Sequence, residues 1–379
     1  MDATAGRRVA WERRAFRNID TVLLVVMGLL TIYGMLMVYS ATNRSLVTLG
    51  EDPAFYLKKQ LTFGLLGLVI LVVSATVDYR LFKVYAPIAY VAVLGALLAV
   101  MVPHIGTRVS GAQRWITLLG FQFQPSELTK VILILMLAAF LSEVKGGLTL
   151  RDVLRAAGIA ALPMALVFLQ PDVGTSMAFA AILVALLLVA RARARQLGIL
   201  ALIAVVSLFL GLQSGLVKDY QLARIGGFLD PDSDPQRAGY NRQQSEIAIG
   251  NGGLTGQGYL HGSQTNLDFV PAQHTDFIFT AIGEELGFSG AMVLLLLFGV
   301  LLWRGFRIAL AAKDPFGFYV ATAIVAMFAF QVFVNVGMTV GIMPITGIPL
   351  PFVSYGGTAL MTNYLAVGLL LNIHMRRFK

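Results

Sequence analysis

Ten long apolar runs dominate the chain, and they constrain its fold more than any motif does. Their limits are Thr21 to Ser40, Leu61 to Val77, Val84 to Val102, Leu128 to Leu141, Val153 to Leu169, Val173 to Ala190, Leu197 to Leu212, Phe277 to Trp303, Phe316 to Val340 and Thr358 to Ile373. A bilayer core about 30 Å thick needs roughly 20 apolar residues per spanning helix. Lipid offers the backbone no hydrogen-bond partners, so a spanning segment is helical or part of a closed barrel. Barrel strands alternate in polarity, which these continuous runs do not. Only 13% of the 379 residues are charged, against about 25% in an ordinary soluble domain. The expected architecture is an all-α polytopic membrane protein, one integral-membrane domain over residues 1–379 with about ten transmembrane helices.

A net charge of +9 raises nucleic-acid binding as a function, but the distribution of the charge points elsewhere. With the N-terminus placed in the cytoplasm, 19 of the 29 Lys and Arg residues fall on cytoplasmic segments, from Arg7, Arg8, Arg13, Arg14 and Arg17 to Arg376, Arg377 and Lys379. The other ten lie at outer loops or just inside outer helix ends, and four of them (Lys218, Arg224, Arg237, Arg242) share one long loop. The positive-inside rule has little force on long loops. Both termini are therefore expected inside, with residues 1–20 as a cytoplasmic tail, and the basic excess reads as an orientation signal rather than a nucleic-acid footprint. The absence of cysteine excludes disulfides and thiolate metal sites. The first apolar run is too long for a typical signal-peptide core and no convincing A-x-A site follows, so it reads as a retained helix.

The one sizeable extramembrane piece, residues 213–275, is expected outside, between the seventh and eighth spans. Its middle, "AIGNGGLTGQGYLHGSQ", is rich in glycine but lacks the G-K-[ST] ending of a phosphate loop and any βαβ context. It is either a close-packed loop with tight turns or a loop that touches substrate. At more than 60 residues it exceeds what a connection needs.

Ionisable groups within spans are expensive, about 2.5 to 3.5 kcal/mol at the bilayer centre on insertion scales. "FQPSELTK" places Glu127 and Lys130 three residues apart on one face. On a local reading Pro125 and Ser126 start the helix, Glu127 complements its dipole and Lys130 pairs with Glu127. Lys130, a turn inside an outer end, gains nothing from the dipole, so the pair otherwise lines a polar cavity. Asp172, in "QPDVGTSM", can cap the sixth span, and Arg114, in "GAQRWI", lies on the outer loop before the fourth. In this topology the fourth, sixth, eighth and tenth spans all start at the outer face. Glu127, Asp172, Asp276 and the turn Ser354-Tyr355-Gly356-Gly357-Thr358 sit at those starts. This is repeated capping or a shared site, since helix N-termini suit phosphate or pyrophosphate. In "FVPAQHTDFIFTAIGEELGF", helical spacing puts Thr280 and Glu284 on the face of Asp276, with Glu285 about 100° further round. Asp276 is then a cap, or the top of a polar stripe facing a water-accessible interior.

These motifs, with "SDPQRAGYNRQQSEIAIGNGGLTGQGYLHGSQTNLDFVPAQHTDF" and "PITGIPLPFVSYGGTAL", resemble the SEDS family of shape, elongation, division and sporulation proteins, from about residue 20 onward. The wording of the long loop is closest to the elongation branch. One departure is Ala272, where many relatives would carry an acid. The resemblance implies a multi-pass enzyme of the bacterial cytoplasmic membrane that polymerises lipid II at the outer leaflet, forming β-1,4 bonds and releasing undecaprenyl pyrophosphate. It implies Asp276 as the catalytic residue and Arg114, Glu127, Lys130 and Asp172 as positions of functional motifs.

The implied chemistry needs a base for the acceptor 4-hydroxyl and cations or helix N-termini for the pyrophosphate. Asp276 suits the first role. Lys130 and Arg114 suit the second, with His274, Thr275 and Ser354 as further substrate-binding candidates. His274 is a rival base two residues from Asp276. A divalent cation, magnesium or manganese, could share the pyrophosphate through Glu127 or Asp172, although no dedicated metal motif is present. The resemblance also implies a class B penicillin-binding protein as transpeptidase partner, among other elongation-complex membrane proteins. Two other classes stay open, a lipid II flippase and a non-catalytic scaffold for that transpeptidase.

Overall fold

The computed structural model describes residues 18–109, 112–118, 121–213, 238–267 and 269–377. Its helices are α1 Thr21–Thr48, α2 Phe55–Thr76, α3 Tyr79–Met101, α4 Pro125–Glu143, α5 Leu150–Leu169, α6 Val173–Val189, α7 Ala194–Gln213, α8 Ala238–Gly252, α9 Ser263–Asn266, α10 Ile278–Glu285, α11 Gly287–Leu310, α12 Pro315–Thr339 and α13 Gly357–Met375. Among the described residues nine helices are long and apolar enough to cross a membrane, and α6 is a shorter apolar helix. The chain is an all-α polytopic membrane protein, as the apolar runs require.

The helices outrun those runs. α1 continues to Thr48 instead of stopping at Ser40, α2 begins at Phe55 instead of Leu61, and α3 at Tyr79 instead of Val84. Hydropathy marks the part that suits lipid, whereas the backbone ladder continues through polar turns such as Lys58-Lys59. Between α3 and α4 the chain adds a small antiparallel sheet, β1 Gly106–Val109, β2 Ala112–Leu118 and β3 Phe121–Phe123, in the order β1-β2-β3. The apolar runs carry no sign of it.

α13 and α4 form the centre, with 89% and 72% of their apolar windows buried, while α7 lies at the rim with 6%. Buried positions run all round α13, as for a helix enclosed by others. Small residues let backbones approach. A Cβ on Gly34 of α1 would lie 2.5 Å from Val353 Cα, so glycine there admits the irregular chain between α12 and α13 into the bundle. Irregular backbone survives at such depth only where protein covers it and satisfies it. Leu350, Phe352 and Val353 are buried. Asn335 Nδ2 donates to the Ile348 carbonyl at 2.8 Å, and the Leu350 N–H donates to Ser354 Oγ at 2.9 Å.

At the end of the bundle that holds both described termini, Asp20 caps α1 and pairs with Arg304 of α11 at 2.5 Å. There Asn372 Nδ2 of α13 donates to the Ser74 carbonyl at 2.6 Å, and Arg376 lies 3.7 Å from Asp78.

The eighth run differs most from expectation. It predicts one helix over Phe277–Trp303, but the structure breaks it after Glu285, where Gly287 takes φ +63 and starts α11. A Cβ at 287 would lie 2.3 Å from the Gly256 nitrogen. The loop after α8 packs into that break, and its Gly253 and Leu254 carbonyls accept from Phe288 and Ser289 at 2.9 and 3.0 Å. The predicted polar stripe therefore serves the loop rather than lining one continuous helix. Thr280 Oγ1 shares a hydrogen bond with Ser245 of α8 at 2.6 Å. Glu284 accepts from the Gln264 and Thr265 N–H groups at 2.7 and 2.9 Å, and from the Ser263 and Thr265 hydroxyls. Glu285 takes the Ser40 hydroxyl at 2.6 Å. Of the long loop, α8 and α9 are described; Lys218, Arg224 and Arg237 lie outside the described residues.

Candidate active site

The end of the bundle opposite the termini gathers the starts of α4, α6, α10 and α13. The Gln124 N–H, just before α4, donates to Thr358 Oγ1 of α13 at 3.1 Å, and Gln124 Nε2 reaches Asp172 Oδ2 at 3.3 Å. A Cβ on Gly174 of α6 would lie 2.8 Å from the Thr346 carbonyl oxygen. One residue on, Gly347 lies against Asp276. The segment 346–348 therefore separates the start of α6 from the start of α10.

Asp172 and Arg114 brace this corner. Asp172 caps α6, its Oδ1 accepting from the Thr175 N–H at 3.2 Å and its Oδ2 from the Thr175 hydroxyl at 2.9 Å. Arg114 Nε donates to the Gln170 carbonyl at 3.0 Å, a second guanidinium nitrogen donates to the Pro171 carbonyl, and a third lies 3.8 Å from Asp172. A cation on the carbonyls ending α5 and a carboxylate on the N–H groups starting α6 both complement helix dipoles. Glu127 and Lys130 form an ion pair at 2.8 Å with side chains only 5% and 2% exposed. Such a pair is costly to bury and more costly to break.

Asp276 ends a tight turn. Ala272, at φ +53, offers its carbonyl to the Thr275 and Asp276 N–H groups, both at 3.1 Å, and to the Thr275 hydroxyl at 3.0 Å. Asp276 is not the cap of α10, as one reading of the sequence would have it. That position is Phe277, which makes no side-chain cap bond. The Asp276 carbonyl accepts from Asn335 Nδ2 at 2.8 Å, fixing the residue to α12. The residue is half-buried, and its carboxylate rests against Gly347, where a Cβ would lie 3.1 Å from Oδ2.

A cavity of about 660 Å³ adjoins this turn, and His274 and Thr275 line it together with Tyr56, Lys59, Trp115 and Tyr355. The Tyr355 N–H donates to the His274 carbonyl at 2.9 Å, tying the turn to the start of α13. Tyr56 lies 4.8 Å from the His274 ring and meets Tyr355 edge-on at 4.9 Å. Burial, with Tyr56 adding to it, pushes the Tyr355 phenol up to about 12, so it remains a hydrogen-bond donor at neutral pH. Asp276 itself, next in the chain after Thr275, does not line this cavity, nor do Arg114, Glu127, Lys130, Asp172 and Ser354. Ser354 is buried and its hydroxyl closes the turn from Leu350.

Sequence reasoning singled out Arg114 in "GAQRWI", yet side chains alternate along β2, and Trp115 and Thr117 are the ones that face the cavity. It also passed over Tyr56, Lys58 and Lys59, which line the cavity from α2. A signal was present, since two adjacent lysines at a helix end opposite the termini, expected outside, run against the positive-inside rule. Among the described residues no group of three or more His, Asp or Glu gathers to hold a metal. With Glu127 facing Lys130 and Asp172 capping α6, the described residues do not assemble a dedicated cation site.

The family model described as cell cycle protein, covering FtsW, RodA and SpoVE, matches residues 20–379. FtsW of Trichlorobacter lovleyi is 39% identical over 95% of this chain and 95% of its own. Stage V sporulation protein E of Bacillus subtilis is 39% identical over 93% and 96%, and peptidoglycan glycosyltransferase MrdB of Escherichia coli 37% over 100% and 98%. The fold matches a chain of a peptidoglycan synthase complex that coordinates polymerization and crosslinking, with TM-score 0.77 and 30% identity over 95% of this chain and 99% of that one. It also matches the rod shape determining protein RodA of Thermus thermophilus, with TM-score 0.70 and 28% identity over 95% and 98%. FtsW, stage V sporulation protein E and MrdB thus stand at similar identity. The chain belongs to the SEDS family (FtsW, RodA, SpoVE) of bacterial inner-membrane proteins, and it is a peptidoglycan glycosyltransferase.

Proposed function

We propose that the chain polymerises lipid II at the outer face of the cytoplasmic membrane during cell elongation, with Asp276 as general base. The observation that carries this reading is the placement of Asp276. It directly follows two residues that line a large cavity, it is partly exposed, and its carboxylate occupies a notch that glycine leaves open at 347. The oxygen of the acceptor 4-hydroxyl attacks the anomeric carbon of the donor and its proton passes to the Asp276 carboxylate. The carbon–oxygen bond to the diphosphate breaks with its electron pair, releasing undecaprenyl pyrophosphate. One displacement inverts the centre and needs no covalent intermediate, as in inverting glycosidases. A positioned base of this kind contributes about 10² to 10⁴ in rate. Lys130, held against Glu127 behind the start of α4, and the grouped helix N-termini favour negative charge at this end of the bundle. The elongation role rests on the wording of the long loop, and the partner, a class B penicillin-binding protein, on the likeness to a chain of a synthase complex.

A flippase would share the bundle and the cavity but would make no polymer. The purified protein in detergent, given labelled lipid II with and without the transpeptidase, is expected to form glycan chains although no second leaflet exists. Scrambling in liposomes with no polymer under any condition would overturn the reading.

A further inference from the structure

The cavity beside His274 has walls that a base alone does not need. Tyr56 on α2, Trp115 on β2 and Tyr355 before α13 present rings to it, and Phe63 braces Phe121 at 5.1 Å. Contacts among Tyr56, His274 and Tyr355 hold these rings in fixed orientation. Rigid aromatic faces suit the apolar C–H faces of a sugar ring. Two cations stand at the same wall. Lys58 is paired with Asp52 at 2.5 Å, whereas Lys59 has no carboxylate partner among the described residues and lies 4.2 Å over the Phe55 ring. The volume, about 660 Å³, falls within the range of pockets that enclose a ligand larger than one ring.

We propose that this cavity is the subsite for the acceptor's hexosamine, with Tyr56 and Trp115 against the sugar and Lys59 on an anionic substituent of the same ligand. The assignment of this sugar as the acceptor rests on Asp276 being the base, because Asp276 directly follows Thr275, which lines the cavity, and the acceptor hydroxyl must come within reach of that base. The anion belongs either to a carboxylate of the attached peptide or to the diphosphate of the lipid carrier. Both are oxyanions that a lysine recognises as a point charge.

The full chain in detergent contains three tryptophans, Trp11, Trp115 and Trp303, so binding at Trp115 is visible in intrinsic fluorescence. A disaccharide-pentapeptide lacking diphosphate is expected to shift the emission, and Trp115→Phe to remove the shift. Lys59→Gln is expected to raise KM for lipid II about tenfold with a smaller change in kcat, the size of one charge-assisted contact. If it weakens the disaccharide-pentapeptide equally, the anion is the peptide carboxylate; if it acts on lipid II alone, the anion is the diphosphate. Asp276→Asn is expected to keep the fluorescence response while losing polymerisation. Polymerisation surviving in Asp276→Asn, with KM still raised in Lys59→Gln, would remove the base and leave the subsite. An unchanged KM in both Lys59→Gln and Trp115→Leu, or an emission shift with undecaprenyl diphosphate but none with the disaccharide-pentapeptide, would overturn the subsite.

Discussion

Gly347 lies directly against Asp276: a Cβ at 347 would stand 3.1 Å from Oδ2, and the residue takes φ +74. The left-handed φ favours glycine, and any Cβ would require the carboxylate to give by a few tenths of an ångström. Gly347→Ala would strain the backbone by about 1 to 2 kcal/mol and push the carboxylate out of its place. A full 1 Å misplacement of a reacting group can cost about 10²-fold in rate, and a shift of a few tenths of an ångström correspondingly less, about several-fold. The expected outcome is a several-fold loss in kcat for lipid II polymerisation with a small fall in thermal midpoint. A full-rate variant would show that the carboxylate need not sit where it does.

The Glu127–Lys130 pair separates folding from function. Removing one partner leaves an uncompensated buried charge, so Lys130→Met is expected to destabilise by about 3 to 5 kcal/mol, whereas the double change Glu127→Gln with Lys130→Met is expected to be close to neutral. If Lys130 serves the pyrophosphate, the double variant stays inactive although stable. Thermal unfolding measured beside polymerisation reads the two effects separately.

Glu284 fastens the long loop to α10 through two backbone and two hydroxyl donors of residues 263–265. Glu284→Ala leaves the buried Thr265 donors, and the part-buried ones of Ser263 and Gln264, without their acceptor, a loss of about 1 to 3 kcal/mol borne by the loop rather than by the bundle. Faster amide hydrogen exchange confined to α8, α9 and the start of α10 is the expected readout, accompanied by lower activity. Uniform exchange across all helices would contradict a local fastening role.

The membrane class, the presence of nine or ten apolar helices and the place of the acidic turn at the edge of one of them were legible because each depends on local pattern. Hydropathy alone identifies a span, and "HTDF" stands at the edge of one. What escaped is set by contacts distant in sequence. The break at Gly287 exists because Gly253 and Leu254 dock there, and an apolar run gives no warning of a loop packing against it. The same holds for Arg114 and Trp115, whose opposite roles follow from β2, a strand that forms only by pairing with its neighbours. Glu284 read as a polar stripe because helical spacing shows which residues share a face but not what covers them.

The most direct test of Asp276 as the base is a single-turnover measurement of glycosidic bond formation by purified Asp276→Asn, with ligand binding verified on the same preparation. The substitution keeps shape and removes the proton acceptor, so the rate is expected to fall by about 10² to 10⁴ with binding intact. Bond formation at the unaltered rate by a folded, ligand-bound variant would contradict the account.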